Sequence, residues 1–357
     1  MKIKFFLFIS IIVIFFISDC HSDDLLGSLR KIFQFKDTSY FTKNYDMKSL
    51  KLIYPSSLEM IKDMKRCVLS AKIMNSNSMA ALKLEQFNTT RSVTNQRTHE
   101  FKCGRQGDSI PKIDRLPTEH FMNTLMNTEC YFNKYYPQLS GILKTQNQDL
   151  IVYVSEFKEG SMDLQEWANK YRNRLKTPEE FEDSIRTFYR KIHDALMVLK
   201  KANYIYTDFK PQNVLIDNKM VPYLIDLESV IKDTSKSPCL ATSFYSEPKK
   251  KIKTPDQTEY IHNRILCWTF CFSVFESMCF KIKEDYKNVT RKLDSWDKNV
   301  PFMKHFGCRV IKTSDSLKEF LNFCLTEKIS KDSFAKLSST KWLRKDIKMR
   351  IELKTLN

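Results

Sequence analysis

The hydrophobic period changes once along the chain, close to Gly160, and that change limits the fold more than any other feature. Before it, short apolar runs at 50–54, 67–74, 79–87, 142–144 and 150–157 are separated by polar or charged turns, the pattern of strands. Within this half, 95–116 is charged and poor in apolar residues and reads as a loop or insertion, while 117–136 reads as a helix. After Gly160 the sequence turns predominantly helical. The clearest case is 178–201, where Phe181, Ile185, Phe188, Ile192, Leu196 and Leu199 recur at helical spacing. Thr177 and Glu180 make a capping box, and Pro178 takes the first helical position. The prediction is an α+β chain with its strands first, long enough at 357 residues for one large domain or two lobes.

Composition excludes the simpler alternatives. With 42% apolar and 13% aromatic residues the chain has material for a packed core, so neither wholesale disorder nor a disulfide-only miniprotein is expected. Its 59 basic against 42 acidic residues give a net charge of +17, which favours acidic partners, phosphates or anionic surfaces. Net charge is the sole feature in favour of nucleic acid, and none is expected as a partner. Lys2 and Lys4 precede the apolar run 5–17, and Ser18 and Cys20 supply small residues for cleavage after Cys20. This predicts a signal peptide over 1–20, a secreted or lumenal chain, and no membrane attachment once the segment is removed. The sequons at Asn88 and Asn288 agree with that route. The other strongly apolar stretch, 265–280, is interrupted by Ser273, Glu276 and Ser277 and reads as a buried core helix. Nine cysteines follow Cys20, an odd number, so at least one is free or intermolecular. Cys267 and Cys271, one helical turn apart, read as buried free thiols, and one or two disulfides of open pairing are expected among the cysteines. No cysteine and histidine spacing suits zinc.

The chemistry-bearing residues follow the long helix at once. The chain reads Tyr206-Thr207-Asp208-Phe209-Lys210-Pro211-Gln212-Asn213-Val214-Leu215-Ile216, then Leu224-Ile225-Asp226-Leu227-Glu228. Phosphoryl transfer asks a protein mainly to position the acceptor, hold metal and neutralise charge on the moving group. Asp208 suits acceptance of a hydroxyl proton, Lys210 suits the γ-phosphate, and Asn213 and Asp226 offer the hard oxygens that Mg²⁺ takes. The competing structural reading has Asp208 and Asn213 capping turns and Asp226 ending a strand.

These residues and spacings resemble the catalytic loop and metal-binding motif of eukaryotic protein kinases of Ser/Thr type. The resemblance implies a two-lobed protein-kinase-like fold, with a small, mainly β N-lobe carrying one main helix over 50–157 and a larger helical C-lobe over 158–345. Residues 21–49 would be an N-terminal extension and 346–357 a basic tail. It also implies ATP with Mg²⁺ or Mn²⁺ as cofactors and a protein substrate. Ala81-Leu82-Lys83 resembles the strand whose lysine holds the α and β phosphates, with Glu129, or second Glu119, as that lysine's helix partner. The run ending Ser155-Glu156-Phe157 resembles the strand and hinge that follow, with Ser155 at the gatekeeper position, so Ala81, Glu156 and Leu215 would line the nucleotide. Residues 242–248 look like the end of an activation segment, and Trp268 with Glu276 match the central helix of the large lobe. The apolar residues Leu317, Phe320, Leu321, Phe323, Cys324, Leu325, Leu337, Trp342 and Leu343 resemble its closing helices.

Several positions depart from that pattern. No glycine occurs between Met64 and Leu82, where the phosphate-covering loop is expected, so backbone amides lack the close approach a glycine turn gives. Thr207 replaces the arginine that receives an activation-segment phosphate, Glu228 replaces a glycine, and Leu266 and Cys271 replace an aspartate and a glycine of the central helix. Lys249 and Asp332 suggest an ion pair of reversed polarity. Three readings follow: an active kinase, a pseudokinase serving as a binding or regulatory module, and a small-molecule phosphotransferase, which the Asp226-Leu227-Glu228 run resembles.

Overall fold

The computed structural model describes residues 22–76, 78–88, 138–147, 150–158, 161–232, 258–280, 293, 296, 300–308, 311–325 and 333–344. Two compact units divide the chain. One comprises Met1–Met162, Leu215–Lys219 and Tyr223–Glu228, the other Asp163–Val214, Met220–Pro222 and Ser229–Asn357. The fold class is α+β, sheet-based in the first unit and mainly helical in the second, in the order the kinase-like expectation requires.

The first unit is built on an antiparallel sheet ordered β1-β2-β3-β5-β4, formed by β1 (Tyr45–Tyr54), β2 (Arg66–Ile73), β3 (Met79–Asn88), β4 (Gln138–Lys144) and β5 (Leu150–Lys158). All five expected strands are present, with ends displaced by a few residues. β3 runs through the middle, placing Lys83 opposite Val68 on one side and Ser155 on the other. Because side chains alternate across a strand, Ala80, Leu82 and Leu84 share one face and Ala81, Lys83 and Glu85 the other. Leu82 and Leu84 form the core with Leu69, Ala71, Val152 and Val154.

The cover of that core comes from a segment the sequence reading set apart. Leu25, Leu29 and Phe33 of α1 (Ser22–Phe33), Phe35, and Phe41 of α2 (Ser39–Asn44) all lie in the same cluster. The N-terminal stretch is therefore structural, and each such side chain contributes roughly 1.5–3 kcal/mol by leaving water.

The position expected for the phosphate-covering loop needs correction. β1 ends at Tyr54 and β2 begins at Arg66, so the connection between the first two strands is 55–65, and 66–82 holds β2, a turn and the start of β3. That connection also lacks glycine and instead folds as α3 (Leu58–Met64). Ser57 Oγ caps it by accepting from the Met60 N–H at 3.3 Å, Ile61 is buried, and Lys65 closes it at φ 53°. The expected loop at 95–116 and helix at 117–136 lie outside the described residues.

β6 (Met162–Asp163) leads into the second unit, with α4 (Leu164–Tyr171), α5 (Pro178–Lys201) and β7 (Tyr204–Tyr206). The bounds of α5 are those the sequence predicts. Thr177 Oγ1 accepts from the Glu180 N–H at 3.1 Å, while the Glu180 carboxylate accepts from Lys176 N–H rather than from the cap residue. All six apolar positions named for this helix are buried. Beyond β8 (Val214–Ile216), β9 (Pro222–Leu224) and β10 (Val230–Lys232) stand α6 (Thr258–Cys279), α7 (Phe302–Phe306), α8 (Asp315–Cys324), α9 (Ser333–Lys336) and α10 (Lys341–Arg344). α6 is buried from Leu266 onward, as a core helix.

Two sequence expectations fail here. Cys271 is not a free thiol: it bridges α6 to α8 through Cys324, whose Cα lies 6.1 Å away, and a second disulfide joins Cys279 to Cys308. Cys267 is free and buried, and desolvation pushes its thiol up to about 12. Phe323 was expected on the core face of the closing helices, yet it is 47% exposed. Leu317, Phe320, Leu321 and Cys324 fill the buried stripe of α8, and steps of 3.6 residues per turn carry Phe323 outside it. No helix among the described residues is long and apolar enough to cross a membrane.

Candidate active site

The loop between β7 and β8 is fixed from below by an aromatic side chain. Phe209 is fully buried, stacked at 5.8 Å on Phe270 of α6 and set edge-on to Tyr206 and Tyr189 at 6.2 and 6.5 Å. Its two neighbours, Asp208 and Lys210, are thereby turned towards the surface and remain partly accessible. Lys210 Nζ lies 2.8 Å from Asp208 Oδ2, with the two side chains 20% and 17% exposed. Pro211 starts a single 3₁₀ turn to Asn213, whose N–H donates to the Lys210 carbonyl at 2.9 Å. Asn213 Nδ2 then donates to the Asp208 carbonyl at 3.0 Å. The sequence-predicted trio Asp208, Lys210 and Asn213 is therefore gathered into one hydrogen-bonded loop, with Asn213 Oδ1 left as the acceptor end of that amide.

Two further contacts support this loop. Ser229, after the Asp226 motif, takes hydrogen bonds from both Thr207 and Asp208. Gln212 Nε2 donates to Glu276 Oε1 at 3.1 Å, and Glu276 is fully buried on α6. The signal for Glu276 lay in the sequence, since a carboxylate inside an apolar run must find a partner when buried. This contact also supplies a brace for the loop where Leu266 and Cys271 depart from the kinase pattern. Beside it, the Tyr189 hydroxyl is held well above its ordinary range, chiefly by burial, although its bond with Ser277 Oγ at 2.9 Å opposes that rise.

The remaining predicted residues lie in the first unit. Ala81 and Lys83 occupy the β3 face opposite the core, and Lys83 Nζ stands 3.7 Å from Glu85 Oε2, with side chains 18% and 14% exposed. Glu156 sits on β5 opposite Leu82. Leu215 is half-buried on β8, and Asp226 adopts φ 57°, the left-handed region that Asn and Asp tolerate better than other side chains. Residues held there cluster at functional sites. Glu129, Glu119, the 242–248 segment, Lys249 and Asp332 lie outside the described residues.

No group of three His, Cys, Asp or Glu that could hold an ion occurs among the described residues. Mg²⁺ takes hard oxygen ligands, and the Asp226 carboxylate in the first unit and the Asn213 amide oxygen in the second are each of that type.

No family model matches the sequence. No curated protein matches it either. Among solved structures the chain is similar to ROP2 from Toxoplasma gondii, described as a virulence factor with a protein-kinase fold and no enzymatic activity. The TM-score is 0.49 at 10% identity, covering 78% of this chain and 76% of that one.

Proposed function

We propose that this chain is a phosphotransferase of protein-kinase type, moving the γ-phosphoryl group of ATP to a Ser or Thr hydroxyl of a protein in the secretory pathway or outside the cell. The observation that carries this reading is the Asp208 carboxylate paired with Lys210 at 2.8 Å on a loop tied back by Asn213. Asp208 takes the proton of the acceptor hydroxyl as its oxygen bonds to phosphorus, and the bridging P–O bond to ADP breaks in line. Lys210 offsets charge on the transferred group, and Lys83 meets the α and β phosphates. Asn213 and Asp226 would hold Mg²⁺ or Mn²⁺, which supplies charge neutralisation along the phosphates. The basic run Lys249-Lys250-Lys251 with Lys253 favours acidic proteins as substrates or partners.

Asp208→Asn tests the assignment: turnover of Mg-ATP falls by about a hundredfold or more while the nucleotide still raises the melting temperature. Equal rates in the two proteins would refute the role of Asp208. A second reading, a pseudokinase acting through its surface, draws on the glycine-free 55–65 connection, where α3 stands in place of an open phosphate-binding turn. Absence of any Mg-ATP stabilisation in folded protein favours that second reading.

A further inference from the structure

We propose that Ser229 is a positioning residue for Asp208, working with Thr207 as a two-hydroxyl clasp that holds the base without help from a phosphorylated segment. The proposal rests on the phosphoryl-transfer reading above.

β7 and β10 pair antiparallel, with Tyr206 opposite Val230, and beyond that pair the regular ladder stops. Side chains take over at this point. Thr207 Oγ1 donates to the Ser229 carbonyl at 2.9 Å, reinforcing a long main-chain bond from Thr207 N–H to the same oxygen at 3.4 Å. In return Ser229 Oγ accepts the Asp208 N–H at 3.2 Å. Both hydroxyl residues are buried. Asp208 is thus tied through both of its own backbone groups, the N–H to Ser229 and the carbonyl to Asn213 Nδ2. With the main chain fixed on both sides and the carboxylate paired to Lys210, the side chain is held in one orientation. Fixed orientation of a base matters because misplacement by about 1 Å can cost a hundredfold in rate.

Ser229 is three residues after Asp226, so the clasp joins the strand that carries the base to the segment that follows the metal carboxylate. Thr207 occupies the position where the kinase pattern places a phosphate-receiving arginine. A short hydroxyl hydrogen-bonded to Ser229 cannot reach outward for a phosphate, and here it serves the loop directly.

The test compares the whole secreted chain with Ser229→Ala, Thr207→Val and Thr207→Ser, reading ADP release from Mg-ATP and the melting temperature. Ser229→Ala is expected to lower kcat about tenfold or more with KM for ATP within about twofold, because only the base is displaced. Thr207→Val, which keeps the shape and removes the hydroxyl, lowers kcat in the same direction, whereas Thr207→Ser retains it. If Ser229→Ala does not fold, the Thr207 pair decides by itself. An active parent whose kcat is unmoved by Ser229→Ala, or equal losses in Thr207→Val and Thr207→Ser, overturns the clasp alone. A parent with no Asp208-dependent ADP release overturns the transfer reading and the clasp with it.

Discussion

The carboxylate of Glu182 is the point where three helices of the second unit meet, and its removal should be among the most damaging single changes in the chain. Glu182 lies on the second turn of α5 and is 3% exposed. Its Oε1 accepts from Arg186 at 3.1 Å, from Ser314 Oγ at 2.5 Å and from the Trp342 indole N–H at 3.0 Å, while Oε2 accepts from the Ser314 N–H at 2.9 Å. Ser314 caps α8 and Trp342 belongs to α10, so one side chain pins both elements to α5. Arg186 is buried to the same degree, and Asp183 offers it a second carboxylate at 2.7 Å that is 34% exposed.

In Glu182→Ala the guanidinium is left with Asp183 and the Trp342 ring, whose centroid is 5.8 Å away, and the indole N–H and Ser314 hydroxyl lose this acceptor. Breaking a buried pair by deleting one member costs about 3–5 kcal/mol, against a total stability of about 5–15 kcal/mol for a typical domain. Urea denaturation followed by tryptophan fluorescence measures the change directly, since Trp342 sits at the site. Trp342→Phe removes a single donor to the carboxylate and should cost less, about 1.5–3 kcal/mol. A loss below about 1 kcal/mol for Glu182→Ala would refute the reasoning, because it would mean the buried charges do not depend on each other.

Other consequences are open to the same kind of test. Burial raises the Asp163 carboxyl to about 6 from its ordinary 3.8, against the pull of its cap bond from the Glu166 N–H. The unfolded chain releases this proton first as pH rises, so the stability the group confers is complete below about pH 3.8 and lost through pH 6, a change of roughly 3 kcal/mol. Asp163→Asn keeps the α4 cap and removes the charge, and should flatten the stability profile between those values; an unchanged slope contradicts the assignment. At Asp226, φ 57° makes Asn the proper control for metal binding: Asp226→Ala should melt lower than Asp226→Asn by about 1 kcal/mol from backbone strain alone. Equal melting of the two would show that the left-handed backbone there is cost-free. Deleting 22–44 strips Leu29, Phe33, Phe35 and Phe41 from the core and should leave the β-rich unit unfolded by hydrogen exchange; native protection in that variant would sink the structural role given to α1 and α2.

What the sequence disclosed follows the range of the interactions involved. Periodicity and capping are local, and they located α5 to its ends and each of the five strands to within a few residues. The loop trio Asp208, Lys210 and Asn213 was legible for the same reason, since five residues of spacing and one aromatic anchor bring it together. Leu25, Leu29, Ile32 and Phe33 follow helical spacing, yet the core that α1 covers is formed by strands distant in sequence, so nothing local marks these residues as structural. Cys271 and Cys324 are 53 residues apart, and nothing local in either α6 or α8 encodes that they face each other. Ser229 escaped notice because its role exists only once β7 and β10 are paired.

The most direct measurement supplies [γ-³²P]ATP and Mg²⁺ to the purified protein with acidic protein acceptors and determines which amino acid carries the label. Label on phosphoserine or phosphothreonine that vanishes in Asp208→Asn is the predicted result. Label that persists unchanged in Asp208→Asn, or folded protein that transfers no label to any acceptor, would contradict the account.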